Sequence, residues 1–584
     1  MIKTLAGSIR QYKMPAMITM LLMVAEVTLE ILIPLMMGNL IDFGIEQGEM
    51  GQVMTYGVVL LGFTVLQLAS GVGSALFSAK AGAGFAGNLR QDLYDSVQGF
   101  SFVNIDKFST ASIVTRLTTD VTNVQQAYQM SLRMIIRAPL MLVLAVVFSF
   151  RISVEISTLF LIAVPVLGIG LFFVMRAVHP LFRKVFKTYD KLNGVVQENL
   201  HGIRVVKSFN REHFEIEKFG AISRQIYQLF SKAERLVILI FPMMQFCIYA
   251  LMIGVCWMGA SAVVASGNDP TVGLTTGQLT ALLSYQMQIL MSLMMLAMVF
   301  SMLIISQASA ERIAQVLKEE AAIQNPEEPV TKVKDGSIRF EKVSFQYSEG
   351  ADKQVLSGID LEIPSGQTVG ILGGTGSSKT SLVQLIARLY DVTEGSVKVG
   401  GVDVRAYDLD TLRHDVSMVL QKNELFSGTI AENLRWGNEA ASQEELEAVC
   451  KMVCAHDFIA DMPEGYDTHI EQGGTNVSGG QKQRICIARA LLKKPKILIL
   501  DDSTSAVDTR TDGMIQAAFG SFIPETTKLI IAQRVSSVAH ADQILVMENG
   551  RIRARGTHRE LLSSDEVYKE VYESQRKGGD ELDG

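Results

Sequence analysis

The sequence is poor in the residues that build disulfide frameworks and metal sites. Among its 584 residues are five cysteines, and the closest pair, Cys450 and Cys454, has no histidine nearby at the spacing of a zinc site. We therefore predict free thiols in hydrophobic cores. The sequence also has no strongly basic patch, and its net charge of −7 gives no indication of a nucleic-acid partner.

The N-terminal residues MIKTLAGSIRQYK also lack the cleavage pattern of a signal peptide. The first apolar segment is therefore predicted to be a retained membrane span. What the chain has in excess is apolar residues, at 48% of the total, with a mean hydropathy of +0.26. They gather in the first half, which predicts a membrane domain followed by a soluble one.

Six segments of the first half are long and apolar enough to cross a bilayer, which needs roughly 20 residues per helix. They are about 15–41, 52–78, 132–150, 154–177, 236–265 and 275–305. The predicted fold is an all-α transmembrane domain of six helices with long cytoplasmic extensions, followed by an α/β P-loop domain. We predict domain boundaries of 1–318 for the membrane domain, 319–336 for a linker, 337–576 for the soluble domain and 577–584 for a flexible tail.

The distribution of lysine and arginine predicts the orientation. Segments 42–55 and 265–275 contain neither residue, whereas 176–235 is rich in both and the N-terminal tail carries Lys3, Arg10 and Lys13. Because cytoplasmic loops carry the excess of positive charge, both termini, the two long loops and the soluble domain are predicted to be cytoplasmic.

The long internal loops, about 79–131 and 178–235, keep a helical periodicity. They are predicted to continue the membrane helices into the cytosol and to turn near 118–121 and 204–209, where the turns could press on a soluble domain. Periodicity alone leaves open that they are surface helices without a mechanical role.

In the second half, TVGILGGTGSSKTSLVQLI has the strand, glycine-rich loop and helix of a P-loop. Backbone amides would cradle phosphates, Lys379 would reach the β and γ oxygens, and the Thr380 hydroxyl would hold Mg²⁺. Ser378 stands where the motif has its last glycine and is expected to weaken binding without abolishing it. The predicted nucleotide-binding residues of this segment are Gly373, Gly374, Thr375, Gly376, Ser377, Ser378, Lys379, Thr380 and Ser381.

Two further motifs accompany the P-loop. The strand KPKILILDD ends on Asp501, which fits the role of a carboxylate beside the metal. The segment NVSGGQKQ starts a helix and offers a second anion-binding end. Two phosphate-binding ends of different design in one chain predict that the second completes a nucleotide site across a dimer.

Together these motifs resemble the nucleotide-binding domain of an ATP-binding cassette (ABC) transporter. The whole layout is similar to a half-transporter of the type IV exporter family, often multidrug exporters. The resemblance implies that Tyr347 stacks on adenine and that Gln421 contacts Mg²⁺ and senses the membrane domain. It also implies that Ser478, Gly479, Gly480 and Gln481 form the signature that binds ATP of the opposite domain, and that Asp508 lies at the dimer seam.

The chain departs from this family at two catalytic positions. Asp502 stands where a glutamate usually acts as general base, and it is shorter by one methylene. Gln533 stands where a histidine is usual, and an amide cannot carry a positive charge or relay a proton near neutral pH. We therefore predict a site that binds ATP and hydrolyses it slowly, in a heterodimer whose other half has glutamate and histidine there. A slow homodimer is the alternative.

The transported substrate is less defined by the sequence. The last span is rich in methionine, which suits several apolar ligands, so the predicted substrate is hydrophobic, drug-like or lipid-like. Candidate cavity residues are Glu26, Glu30, Tyr285, Gln286 and Met287; the two glutamates could instead pair with Arg133 or Arg137. A peptide exporter and a non-transporting nucleotide-sensing scaffold remain open. The expected location is a bacterial inner membrane.

Overall fold

The computed structural model describes residues 2–347 and 354–580. The chain forms two compact units, one of Met1–Gln98 with Thr110–Glu319 and one of Gly99–Ser109 with Glu320–Gly584. The segment Gly99–Ser109, which lies inside the predicted membrane domain 1–318, is therefore grouped by its contacts with the second unit. This segment groups with the second unit because Phe102 and Val103 pack against its hydrophobic core.

The described residues of the first unit form helices joined by short connections. Six helical stretches of the described chain are long and apolar enough to cross a membrane by length and composition, as predicted. The helices are Ile2–Ala6, Lys13–Leu40, Met50–Gln98, Thr110–Thr115, Val121–Ile152, Val154–His201, Ile203–Ser208, Glu212–Val237, Ile240–Ser266 and Thr276–Lys318, with 3₁₀ or π turns at Gly7–Tyr12, Ile41–Ile45 and Arg116–Asp120.

The two predicted turns have different outcomes. The second is found where predicted, since the helix Val154–His201 ends at Gly202 and the short helix Ile203–Ser208 follows. The first, near 118–121, is wrong, because helical structure continues there through a π turn. The chain instead reverses at Gly99–Ser109, where Ser101 and Asn104 form a capping box that starts a new helix.

Two helices of the first unit cross at very short range. A Cβ on Gly277 would lie 2.1 Å from the carbonyl oxygen of Gly38, so only glycine fits. At the same place Asp42 accepts hydrogen bonds from the Gly277 amide, at 2.7 Å, and from the Thr275 hydroxyl, at 2.6 Å. The carboxylate thereby caps the start of the helix Thr276–Lys318 and fixes it against the segment after Leu40.

The second unit contains a four-stranded antiparallel sheet in the order β2-β1-β4-β5 and a six-stranded sheet in the order β12-β11-β3-β10-β9-β6. The strands are β1 Ile338–Phe345, β2 Leu356–Ile363, β3 Thr368–Gly373, β4 Glu394–Val399, β5 Val402–Asp403, β6 Val416–Val419, β7 Gly428–Thr429, β8 His469–Ile470, β9 Ile497–Asp501, β10 Thr527–Ile531, β11 Gln543–Glu548 and β12 Arg551–Gly556.

The helices of the second unit are short, as expected for segments that link strands. They are Phe102–Phe108, Lys379–Gln384, Leu409–Asp415, Ile430–Arg435, Gln443–Met452, His456–Ala460, Gly479–Leu491, Thr509–Phe522, His558–Ser564 and Glu566–Asp580. The last one includes residues 577–580, which the sequence predicts to be flexible; 581–584 lie outside the described residues.

Parallel pairing in the larger sheet brings three functional segments to one edge. β10 pairs in parallel with β3 and with β9, placing Ile531 opposite both Ile371 and Asp501. Every residue of β9 and β10 is buried, with alternate side chains in the cores on the two sides of the sheet. The segments after Gly373, Asp501 and Ile531 therefore emerge together, where ligands of such sheets bind.

The predicted linker packs against the second unit. Residues 320–337 contain no helix or strand, but Val333 is completely buried in the core of the second unit. Val330 also donates its amide to the Ala406 carbonyl oxygen at 2.9 Å. The linker is thus part of the second unit.

Candidate nucleotide and membrane sites

The lysine of the glycine-rich loop is hydrogen-bonded to the loop backbone. Lys379 Nζ donates to the carbonyl oxygens of Gly373 and Gly374, at 2.8 and 3.0 Å, and lies 3.3 Å from Ser377 Oγ. Burial lowers the pKa of Lys379, and the carboxylates of Asp501 and Asp502 oppose this shift. The ammonium group is therefore held at the centre of the loop, where it can transfer its hydrogen bonds to phosphate oxygens.

Ser378 stands at a backbone position that favours glycine. Its φ is +71°, in the left-handed region, as is the φ of +81° at Gly376. A non-glycine residue in this region costs roughly 1–2 kcal/mol. The departure from the P-loop motif thus stores backbone strain next to Lys379.

Asp501 ends β9 with a carboxylate that lacks one partner. The side chain is 2% exposed and accepts a hydrogen bond from the Thr380 hydroxyl, but its Oδ2 atom has no hydrogen-bond partner among the described residues. Burial raises the pKa of Asp501, and the neighbouring Asp502 adds to the effect. An orphaned buried carboxylate oxygen is a free-energy cost that a cation would remove.

The oxygen donors here fit Mg²⁺. Thr380, Asp501 and Gln421 offer hydroxyl, carboxylate and amide oxygens, and all three line the same cavity. Mg²⁺ prefers oxygen ligands and a few protein groups together with phosphates, and it neutralises phosphate charge.

Asp502 is bound to the segment after β10. Its amide donates to the Ile531 carbonyl oxygen at 3.0 Å, and its Oδ2 accepts a hydrogen bond from Gln533 Nε2 at 2.9 Å. Its φ of +52° is again in the left-handed region. Burial raises the pKa of Asp502, and hydrogen bonds from Gln533 and Gln421 act against the increase. The two residues that depart from the family pattern are thus in direct contact.

A cavity of about 760 Å³ joins these groups. It is lined by residues 373–380 of the loop, Gln421, Asp501, Asp502 and Gln533, as the sequence predicts for a nucleotide site. Further lining residues were not predicted from the sequence; they are Val546, Met547, Glu548, Asn549, Arg553, Val567, Tyr568 and Val571. The Asn549-Gly550 dipeptide between β11 and β12 was the available sequence signal, because Asn-Gly is typical of a tight hairpin turn. Both residues have a positive φ in the structure, as such a turn requires.

Gln575 is a second missed residue. Its Nε2 donates to the Gln533 carbonyl oxygen at 2.9 Å, and its Oε1 accepts from the Val535 amide at 2.8 Å. The C-terminal helix Glu566–Asp580 therefore clamps the segment that carries Gln533.

Tyr347 is near the loop but, within the described residues, it is not part of the cavity lining. Its hydroxyl lies 2.8 Å from Ser381 Oγ and donates to Gln384 Oε1 at 3.2 Å. The side chain is 44% exposed, which leaves part of the ring open to a ligand. Ser381 itself is buried and acts as the partner of Tyr347.

The predicted signature residues start the helix Gly479–Leu491. Ser478 caps it, accepting from the Gln481 amide at 3.3 Å while its own amide donates to Gln481 Oε1 at 2.9 Å. Ser478 and Gly479 are exposed, and no signature residue lines the 760 Å³ cavity in the described part of the chain.

The predicted dimer-seam segment is attached to this signature helix. A Cβ on Gly480 would lie 2.8 Å from the Ala506 carbonyl oxygen, and Gln483 Oε1 accepts from the Ala506 amide at 3.0 Å. Asp508 is exposed and caps the helix Thr509–Phe522 through the Thr511 amide, and this hydrogen bond lowers the pKa of Asp508.

In the first unit, the predicted cavity residues are engaged in packing. Arg137 bridges Glu26 and Glu30 at 2.5 and 2.8 Å, the structural pairing that the sequence left open. Tyr285 is buried and donates to the Ile31 carbonyl oxygen at 2.9 Å, and Gln286 donates to that of Ile248 at 2.8 Å.

A cavity of this unit lies away from these residues. It has a volume of about 460 Å³ and none of the five predicted residues lines it; Met287 is 47% exposed at another place. Its lining contains four methionines, three other apolar residues and three uncharged polar ones: Met175, Met294, Met298, Met302, Leu171, Ile240, Ala297, Asn123, Gln126 and Ser306. The methionine-rich last span does contribute to a cavity, two to four turns beyond Met287.

Comparison with known proteins accounts for both units. Residues 16–321 match the family described as ABC transporter transmembrane region, and residues 356–505 match the family described as ABC transporter. The chain belongs to the ABC transporter family. The resemblance read from its motifs is confirmed at this level, including the order of a helical membrane domain and a nucleotide-binding domain in one half-transporter.

Relatives of this ABC transporter cover nearly its whole length. The uncharacterized ABC transporter ATP-binding protein YfiB of Bacillus subtilis is 36% identical over 567 residues, 97% of each chain. The ATP-dependent lipid A-core flippase of Pectobacterium atrosepticum is 30% identical over 92% of this chain and 91% of its own. The structure of a bacterial Atm1-family ABC exporter with ATP bound superposes with a TM-score of 0.82 at 25% identity, covering 97% and 99% of the two chains.

These likenesses define the activity at a coarse level. The transporter is a multi-pass membrane protein of a family that uses ATP hydrolysis to move substrates across a membrane, and its relatives are bacterial. Its fold is that of the exporters.

Proposed function

We propose that this chain is one half of a heterodimeric exporter, in which its own nucleotide site binds ATP and hydrolyses it poorly. The observation that carries the proposal is the hydrogen bond from Gln533 to Asp502. The amide occupies one oxygen of an acid that is already shorter than the usual glutamate by one methylene, roughly 1.5 Å of reach. Misplacement of a catalytic group by about 1 Å can cost ~100-fold in rate.

Binding of ATP is retained in this proposal. Lys379 and the loop amides hold the phosphates, Thr380, Gln421 and Asp501 hold Mg²⁺, and Tyr347 stacks on the adenine. Bound Mg²⁺ neutralises phosphate charge, while Asp502 would orient the attacking water from a poor position. Gln533 Nε2 has two N–H donors, so one can remain on Asp502 while the other donates to a phosphate.

The intact signature supports a role in the partner's site. Ser478 and Gly479 are exposed, and in the described part of the chain neither lines the chain's own cavity. They would complete a site on a partner that carries glutamate and histidine at the two altered positions, with Asp508 at the seam. That partner would perform most of the hydrolysis.

The substrate of the exporter is proposed to be hydrophobic and drug-like. The methionine-rich cavity supports this, because its described lining contains no charged side chain and methionine adapts to differently shaped apolar ligands. The similarity to a lipid A-core flippase makes a lipid the second candidate. The proposed location is the bacterial inner membrane, with both termini and the nucleotide-binding domain in the cytoplasm.

The test is to purify the chain alone and together with a candidate partner half, and to measure ATP hydrolysis and dye export in vesicles. We expect slow hydrolysis by the chain alone, fast hydrolysis by the pair, and transport that is lost when the partner's catalytic glutamate is changed to glutamine. Brisk ATP turnover and transport by the chain alone would show a homodimer and contradict the proposal. A pair that hydrolyses ATP but moves neither dye nor lipid would point to the nucleotide-sensing scaffold.

A further inference from the structure

The helix Phe102–Phe108, here named the loop helix, is an integral part of the second unit. Asn104 Nδ2 donates to the Glu320 carbonyl oxygen at 2.9 Å, and the Ala322 amide donates to Asn104 Oδ1 at 3.0 Å. In the chain, however, the loop helix lies between the long helices that end at Gln98 and begin at Thr110.

One tyrosine of the nucleotide-binding domain contacts the loop helix through both its hydroxyl and its ring. Tyr390 donates to Asp106 Oδ2 at 2.6 Å, and its ring centroid lies 6.1 Å from that of Phe102 at an angle of 65°. The side chain is 6% exposed. Burial and the bond to Asp106 raise the pKa of Tyr390, so the phenol remains a donor at any physiological pH.

The other side of Tyr390 contacts Tyr347. The two rings meet edge to face, with centroids 5.0 Å apart and planes at 89°. Phe345 completes the cluster, 4.8 Å from Tyr347 and 5.7 Å from Tyr390. The Tyr347 hydroxyl then reaches Ser381, two residues after Lys379. A continuous set of contacts therefore links Asp106 to the P-loop helix Lys379–Gln384.

We propose that Asp106 and Tyr390 are positioning residues that hold the Tyr347 ring for the nucleotide base, so that the loop helix controls how tightly the chain binds the adenine end of ATP. This rests on the proposed stacking of Tyr347 on adenine. Edge-to-face contact stabilises one relative orientation of two rings beyond the effect of simple burial.

The arrangement explains why a phenol is present at position 390. A phenylalanine would fill the same core space, but only the hydroxyl can bind the carboxylate of the loop helix. If Asp106 served only core packing, its loss would not affect nucleotide binding. If Asp106 is a positioning residue, its loss should weaken binding of the base and leave binding of the phosphates unchanged. This difference can be measured.

The experiment compares equilibrium binding of ATP and of inorganic tripolyphosphate, which lacks the base, to the full chain. We expect Asp106→Ala and Tyr390→Phe each to weaken ATP binding about threefold to tenfold and to leave tripolyphosphate binding within about twofold. Asp106→Asn keeps a hydrogen-bond acceptor and should retain most of the ATP affinity. Tyr407→Phe is the matched control, since this buried tyrosine hydroxyl bonds to the Val399 carbonyl oxygen away from the cluster.

The variant Tyr347→Ala distinguishes the proposed stacking of Tyr347 on adenine from the proposed positioning role of Asp106 and Tyr390. It should weaken ATP binding selectively, and Asp106→Ala added to it should have no further effect, since the two act through one contact. If Asp106→Ala leaves the ratio of ATP to tripolyphosphate affinity unchanged while Tyr347→Ala lowers it, the positioning role is refuted and the stacking role stands. If Tyr347→Ala itself leaves that ratio unchanged, the stacking role is refuted and the positioning role with it.

Discussion

Gln533 Nε2 donates a 2.9 Å hydrogen bond to Asp502 Oδ2, and the Asp502 amide in turn donates to the Ile531 carbonyl oxygen. The two residues that depart from the family pattern therefore stabilise each other. The neutral amide donates a hydrogen bond without first having to be protonated. The shorter acid and the amide are therefore complementary in size and in hydrogen bonding. This contact is a physical reason for the two departures to occur together.

Restoring both residues should restore hydrolysis. We expect Asp502→Glu with Gln533→His to raise the ATPase rate of the purified chain about tenfold to 100-fold, because the longer acid reaches the attacking water. The rate is measured at saturating ATP with the unmodified chain as reference. Each single change should give less than half of the gain on a logarithmic scale, since it leaves one member of the pair mismatched. An unchanged rate in the double variant would argue against a degenerate site.

Replacing Ser378 by glycine should relieve strain in the loop. We expect Ser378→Gly to stabilise the domain by about 1 kcal/mol, since glycine adopts a positive φ without penalty. This corresponds to roughly 2–4 °C in the melting temperature of a domain of this size, measured by scanning fluorimetry.

Thr375→Gly is the control for that change. Thr375 is exposed in the same loop and is not among the residues with positive φ, so glycine there should lower the melting temperature slightly. Equal effects of the two substitutions would mean that the backbone at position 378 is not strained.

Asp501 should reduce stability at neutral pH when no nucleotide is bound. Its pKa is raised by burial above the ordinary value of 3.8, so the folded state holds the proton more tightly than the unfolded state. Stability is therefore lost as the pH rises from about 4 through the raised pKa, and the loss persists at pH 7. We expect Asp501→Asn to melt higher than the unmodified chain at pH 7 and to lose this advantage at pH 4.

The same variant should fail to gain stability from Mg²⁺ and ATP, because the amide is a weaker metal ligand than the carboxylate. Melting curves with and without Mg²⁺-ATP check this. A variant that melts lower than the unmodified chain at pH 7 in the absence of nucleotide would show that the carboxylate is already stabilised.

Arg137 should be needed for folding of the membrane unit. Removing it leaves Glu26 and Glu30 as two inward-facing carboxylates without their cation, a loss of about 3–5 kcal/mol. We expect Arg137→Met to reduce the yield of folded protein in detergent chromatography. Arg137→Met with Glu26→Gln and Glu30→Gln should recover it. Selective loss of export of cationic dyes by the triple variant, with neutral dyes unaffected, would instead assign the glutamates to substrate binding.

Several features of the molecule were predictable because each depends on short-range sequence patterns. Six apolar stretches, the strand–loop–helix of residues 368–384 and the acid at the end of β9 are recognisable locally. The turn at Gly99–Ser109 was missed since helical periodicity resumes on both sides of it. Its signal was the pair Ser101 and Asn104, a capping box in which asparagine takes the place of the usual glutamate or glutamine.

The candidate substrate residues show the limit of such patterns. Glu26 and Glu30 share a helix face in the sequence, but their partner Arg137 is more than 100 residues away. Tyr285 and Gln286 are polar residues in an apolar span, and their hydrogen-bond partners are two carbonyl groups distant in the chain, which no local pattern indicates.

The sequence by itself determined which chemical groups are available: a lysine and hydroxyl in a glycine-rich loop, two adjacent acids, and no imidazole at position 533. Only the tertiary structure decided which of them touch. Parallel pairing of β3, β10 and β9 brings Lys379, Asp502 and Gln533 to one edge, and the loop helix joins the second unit through Tyr390. Such contacts join residues far apart in the chain, so they depend on packing and strand register, which no local pattern encodes.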